Sequence, residues 1–147
     1  LRFDIIGDGS ERQRLQEVAT SNVQFLGKLS QSEIKDVFRV SDLLFLPSKS
    51  EGFPKVILEA SSAGIPSIVY ESYGASDWIK DREDGFIVSN FDQVIDVVEY
   101  LIQYPEELEK VSINTRNLAK SFDWKSVIGN WEKVIIELLD KKHNVSF

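Results

Sequence analysis

The sequence predicts an α/β fold in which about five short parallel strands alternate with helices that cover both faces of the sheet. Two observations carry this. Short extended or apolar runs recur at Arg2 to Ile6, Val23 to Leu26, Leu43 to Leu46, Ile65 to Tyr70 and Phe86 to Val88. Between most of them lie stretches with apolar residues at three-to-four spacing, the period of a helix packed on one side. Strands separated by helices are joined by right-handed crossovers and lie parallel, which gives a Rossmann-like sheet with ligands beyond the carboxyl ends of its strands.

Each element has a local reason. Arg2 to Ile6 ends at Gly7-Asp8-Gly9, and Ser10 is placed to cap a helix over Glu11 to Ala19. Val23 to Leu26 is closed by Gly27, and Ser30 with Glu33 three positions on reads as a capping box opening a helix through about Val40. Leu43-Leu44-Phe45-Leu46 is apolar at every position, the pattern of a strand covered on both faces, and predicts the centre of the sheet. Pro47 to Phe53 is a loop rich in Ser and Gly, Pro54 predicts a first helical position, and Gly64 closes the helix after about Ala63. Ile65 to Tyr70 follows as the fourth strand. Gly74 to Lys80 predicts a short helix, and Asp84-Gly85 turns the chain into the fifth strand, Phe86 to Val88. The helical segments Phe91 to Gln103, Pro105 to Lys120 and Trp124 to Lys141 complete a single domain over 1–147, with 91–147 its helical C-terminal part.

Composition narrows the chemistry. A chain of 147 residues, 42% apolar and 28% charged, supports one sizeable core. A net charge of −7, from 24 acidic against 17 basic residues, argues against a phosphate-backbone binder, so no nucleic-acid partner is expected. With no Cys and a single His, metal and thiol chemistry are not expected; no cofactor is expected either. No apolar run reaches bilayer length and the start lacks a signal-peptide layout, so a cytoplasmic location is expected. The Asn144-Val145-Ser146 sequon reads as chance, His143 as surface, and Trp78, Trp124 and Trp131 as core or interface packing residues.

The chemistry concentrates in Pro47-Ser48-Lys49-Ser50-Glu51-Gly52-Phe53-Pro54-Lys55-Val56-Ile57-Leu58-Glu59. A helix that opens at a strand's carboxyl end presents unpaired N–H donors and a partial positive charge, so it holds phosphate without basic side chains. Gly52 would let the backbone approach closely. Glu51 precedes the helix and Glu59 lies five residues after Pro54, roughly 7.5 Å along the axis, too far for a close carboxylate pair. Each could instead accept hydrogen bonds from hydroxyl pairs at opposite ends of a sugar–diphosphate–ribose ligand. Taken singly, either Glu reads as an ordinary surface acid.

The joint pattern strongly resembles the family 4 retaining glycosyltransferases of the GT-B fold. Their hallmark is two Glu separated by seven residues in a setting matched here by Pro47, Ser48, Glu51 to Pro54, Leu58 to Ala60, Gly64 and Pro66. The likeness extends from Gly7-Asp8-Gly9 through Val23 to Gly27 and Ser41-Asp42 to Asp84-Gly85-Phe86, and fades after Val88. The resemblance implies the C-terminal, donor-binding domain without its first strand and helix, which in the family carry an Arg and a Lys for the diphosphate. It assigns Glu51 to catalysis, and Gly52, Phe53, Lys55 and Val56 to donor sugar and phosphate. Glu59 takes the ribose, and Gly7, Gly9, Gly27 and Lys28 the nucleotide. Gly7 and Gly9 read equally well as an ordinary tight turn, and Lys28 as a solvated loop residue. One departure is Tyr73-Gly74-Ala75-Ser76-Asp77, with one glycine and an Asp where the family has two glycines and a Glu.

The implied reaction is transfer of a hexose from a nucleotide-diphosphate sugar, UDP-hexose first and GDP-mannose second, with retention. The acceptor would be a glycan or lipid-linked glycan in cell-surface polysaccharide or lipopolysaccharide synthesis. The acceptor and any peripheral membrane contact would be held by an N-terminal domain, so this chain alone is expected to fold but not to turn over. Rival readings are a sugar-nucleotide epimerase of the same fold, which the Glu51-to-Glu59 motif disfavours, and a flavodoxin-like binding module. The latter needs an acidic cluster where Ile6-Gly7-Asp8 offers one Asp.

Overall fold

The structure is a computed structural model that describes residues 1–143; the sequon at 144–146 lies outside them, as does the side chain of His143. The chain divides into two compact units, one spanning Leu1–Val40 and a second that begins at Ser41.

The first unit is two strand-helix repeats: β1 (Phe3–Ile6), α1 (Arg12–Val18), β2 (Val23–Gly27) and α2 (Gln31–Phe38). β1 and β2 are parallel, with Phe3 opposite Val23 and Ile5 opposite Phe25, and the register shifts between Ile5 and Ile6. The Gly7 N–H donates to the Gly27 carbonyl at 2.8 Å, closing the ladder where both strands end. The capping box at Ser30 forms as expected: its hydroxyl accepts from the Glu33 N–H while its own N–H donates to the Glu33 carboxylate. Ser10 does not cap α1. The Arg12 N–H already bonds the Gly9 carbonyl at 3.1 Å, and Glu11, the cap residue, is helical in φ and ψ. A side-chain cap needs an extended residue there, and the tight turn provides none.

The second unit holds β3 (Leu44–Leu46), β4 (Ser67–Tyr70) and β5 (Phe86–Val88), all parallel in the order β3-β4-β5. Its helices are α3 (Lys55–Ala63), α4 (Phe91–Gln103), α5 (Pro105–Ser121) and α6 (Trp124–His143). Consecutive residues of β4 point to opposite faces, as the pleat requires. Ile68 joins a core with Phe86, Val88, Val94, Val97, Leu101 and Val111, on the side of α4 and α5. Val69 joins Ile57, Ala75, Ile79 and Leu118 on the side of α3. This sheet is therefore covered on both faces.

The α/β class and the five parallel strands are as expected, but the strands form ladders of two and three rather than one. The sheet centre also differs. Ser67, Ile68 and Val69 of β4 are fully buried, whereas β3 is half-buried throughout and takes the edge of its sheet. An unbroken apolar run marks burial but does not rank strands by position. Where one short helix was expected after β4 there are two 3-10 turns, Glu71–Tyr73 and Ala75–Asp77, separated by Gly74 at φ 72°. That left-handed residue interrupts the helical path.

Helix α3 ends as expected at Gly64, whose φ of 84° lets its N–H reach back to Ala60 and Ser61. Helix α5 packs on α3 through small residues: the buried Thr115 hydroxyl donates to Ser61 Oγ at 3.0 Å, and the Ser112 hydroxyl to the Gly64 carbonyl. Trp78 packs as expected on Phe53, whereas Trp124 and Trp131, 81% and 65% exposed, stand outside the core of this chain. Helix α6 contributes nothing to either core cluster among the described residues.

Candidate functional site

The site is set by how β3 hands the chain to α3. After Leu46 the backbone loops through Pro47 to Phe53 and enters the helix at Lys55. Pro54 stands at the cap position, one residue earlier than expected, because its ψ of 105° is extended. Its carbonyl accepts the Ile57 N–H at 3.0 Å. No side chain caps α3. The N–H groups of Lys55 and Val56 precede any turn that could accept them, so the helix opens on free donors and the positive end of its dipole.

The residues around this terminus divide by burial. Glu51 is half-buried, Gly52 and Lys55 are exposed, Val56 is half-buried, and Glu59 is exposed one turn into the helix. A Cβ built at Gly52 meets no atom within 4 Å, and its φ is not in the left-handed region. The fold itself therefore does not require glycine at 52.

Phe53 was singled out for its backbone, yet its side chain has a job as well. The ring lies 5.1 Å from Trp78 edge-on and 5.0 Å from Phe122. These contacts pin the loop immediately before the helix terminus and so fix the direction of the free donors. Across the loop the Ser72 hydroxyl donates to the Lys49 carbonyl at 2.9 Å, tying it to the turn after β4. Sequence reasoning missed Trp78, Phe122 and Ser72 as supports. They lie far along the chain from the motif and carry no local signal, although an aromatic beside a Gly-Pro loop could have prompted a search for ring partners.

Gly7, Gly9, Gly27 and Lys28 lie in the first unit. Gly7 and Gly27 have φ of 128° and 71°, so glycine is needed there by the backbone alone. Gly9 has neither a positive φ nor a neighbour within 4 Å of an added Cβ. Lys28 is exposed. Among the described residues no cluster of three or more His, Cys, Asp or Glu could hold a metal ion, and no helix is long and apolar enough to cross a membrane.

Comparison with known proteins agrees with the motif. The family model described as Glycosyl transferases group 1 matches residues 1–118. The chain is 29% identical to the UDP-N-acetylglucosamine–peptide N-acetylglucosaminyltransferase GtfA subunit of Limosilactobacillus reuteri subsp. suis, covering 94% of this chain and 29% of that protein. It is 31% identical to the GalNAc-alpha-(1->4)-GalNAc-alpha-(1->3)-diNAcBac-PP-undecaprenol alpha-1,4-N-acetyl-D-galactosaminyltransferase of Campylobacter jejuni, covering 93% of this chain and 39% of that one. A crystal structure of the pneumococcal O-GlcNAc transferase GtfA in complex with UDP and GlcNAc superposes with a TM-score of 0.70 at 26% identity, over 95% of this chain and 30% of that one. The chain thus spans about a third of the length of these relatives. The match also runs past Val88, where the motif-level likeness ends, into α5, the helix that packs on α3. By its motif, its fold and this match, the chain belongs to the glycosyl transferases group 1 family.

Proposed function

We propose that the chain binds the donor of a retaining hexosyltransferase that uses a nucleotide-diphosphate sugar. The observation that carries this is the uncapped N-terminus of α3, which opens at a strand's carboxyl end with Glu51 before it and Glu59 beyond it. In this reading the Lys55 and Val56 amides hold the diphosphate, Glu51 contacts the donor sugar with the Gly52 and Phe53 backbone, and Glu59 accepts hydrogen bonds from the ribose hydroxyls. Gly7, Gly9, Gly27 and Lys28 serve the nucleotide. UDP is favoured as the nucleotide because the GtfA relatives carry UDP in their name or their crystals.

Charge develops on the departing diphosphate, and preorganised donors aimed at it lower the barrier without any metal. The acceptor hydroxyl oxygen bonds to the anomeric carbon on the face from which the diphosphate oxygen leaves. Its proton passes to that oxygen, so configuration is kept and no enzyme nucleophile is needed. The acceptor would be a glycan or lipid-linked glycan of a cell-surface polymer, with transfer on the cytoplasmic side of the membrane and the acceptor held by a further domain.

Calorimetry with UDP and UDP-hexoses tests the assignment. Glu59→Ala should weaken bare UDP and every conjugate alike, whereas Glu51→Ala should weaken conjugates much more than bare UDP. Equal losses for bare UDP and conjugate in Glu51→Ala would overturn the sugar role of that carboxylate.

A further inference from the structure

A cavity opens at the carboxyl ends of β4 and β5, outside the Glu51-to-Glu59 segment. Its volume is about 650 Å³, and Tyr70, Glu71, Ser72, Ser89, Asn90 and Phe91 line it. A cleft of this size lies in the ~300–1,000 Å³ range of small-molecule sites. Lys49, from the loop that leads to Glu51, completes the lining, so the cavity borders the loop assigned to the donor sugar.

The lining combines two chemistries. Phe45 stands edge-on to Tyr70 at 6.0 Å and tilted to Phe91 at 6.2 Å. Phe91 is backed by this cluster yet remains 58% exposed, an aromatic face held rigid at the first turn of α4 and left uncovered. The rest of the lining is polar. The Ser89 hydroxyl donates to Glu71 Oε2 at 3.2 Å, which uses one of the roughly four acceptor positions of a carboxylate and fixes its orientation. Asn90 caps α4 by accepting the Gln93 N–H at 3.0 Å, while Gln93 accepts the Ser89 N–H at 2.8 Å, so the segment from Ser89 to Phe91 is held rigid.

A rigid aromatic face in one cavity with an oriented carboxylate and hydroxyls suits a ligand with one apolar C–H face and a rim of hydroxyl donors. Lys49 and Glu71 give the lining one charge of each sign, so it offers no net charge to an anion, and its polar groups disfavour a wholly apolar ligand. We propose that this cavity is a pyranose subsite that holds a neutral ring of the acceptor glycan, stacked on Phe91 with its hydroxyls donating to Glu71. The identity of that ring as part of an acceptor rests on the transferase reading above; the sugar-binding chemistry of the cavity does not.

The test uses the intact protein and saturation-transfer NMR with methyl glycosides of glucose, galactose and N-acetylglucosamine as probes. At least one glycoside should give signals strongest on its C–H face protons, and saturating UDP should not displace it. Phe91→Ala and Glu71→Gln should each weaken that glycoside about tenfold, the effect of losing one stacking face or one charged acceptor. Phe91→Trp, which keeps an aromatic face, should restore binding and so separates stacking from a folding defect. No glycoside signal, displacement by UDP, or unchanged binding in Phe91→Ala would each overturn the subsite. UDP binding, measured separately, decides the donor reading, so a protein that bound glycoside and not UDP would sink that reading and leave the subsite standing.

Discussion

Replacing Phe53 by Ala should damage stability and donor binding together, because one ring serves both. Phe53 is 38% exposed, so roughly three-fifths of its surface is covered, and its ring contacts Trp78 and Phe122. A Phe carries about 200 Å² that folding can cover; three-fifths of that at ~25 cal/mol per Å² is about 3 kcal/mol. The loop can relax into the gap, so about 2–3 kcal/mol is the expected loss in urea unfolding. The same loop presents the Lys55 and Val56 donors, and freeing it should lower UDP affinity at temperatures where the variant is still folded. Phe53→Leu, which keeps most of the apolar contact, should retain most of both. A Phe53→Ala protein within about 0.5 kcal/mol of the parent, or one that loses stability with UDP affinity intact, would refute the idea that this ring positions the helix terminus.

Other positions give sharper separations. Gly52→Val meets open space in the fold, so its unfolding free energy should change by less than about 0.5 kcal/mol, while donor binding collapses if a ligand approaches that backbone. In the intact enzyme Lys55→Ala should matter far less to turnover than Gly52→Val, and a collapse in Lys55→Ala alone would show that a side chain carries the phosphate charge. Thr115→Val removes the buried bond to Ser61 Oγ and should cost about 1–3 kcal/mol of stability by chemical denaturation; a neutral result would mean that Ser61 finds another partner. Burial, with Glu83 adding to it, holds the Asp84 carboxyl above its ordinary 3.8 against the lowering by the Lys80 N–H. The folded state therefore binds this proton more tightly than the unfolded chain, and Asp84 detracts from stability as pH rises from 3.8 through its raised value. Asp84→Asn keeps an acceptor for Lys80, so it should melt higher than the parent near neutral pH and lose that advantage below pH 3.8. A variant less stable at neutral pH would reverse the assigned sign.

What the sequence determined by itself was whatever depends on residues close in the chain. The capping box at Ser30 and Glu33, the left-handed stop at Gly64, the span Phe91–Gln103 and the strand-loop-helix unit carrying Glu51 and Glu59 each rest on side chains within one or two turns of each other. Their energies are local, and their spacing is visible in one dimension. The tertiary structure decided what depends on distant partners. It put β4 rather than β3 at the centre of the three-stranded sheet, because burial of Ser67 to Val69 needs helices from both sides. It left Trp124 and Trp131 exposed, although their apolar neighbours along α6 recur at helical spacing. It also set Phe53 against Trp78 and Phe122, and brought Phe91 and Glu71 to the lining of one cavity, groupings made by chain segments that meet only once the sheet has formed. Helical period and turn chemistry fix direction along the chain, whereas which faces meet is fixed by packing between elements, and a single sequence records that only indirectly.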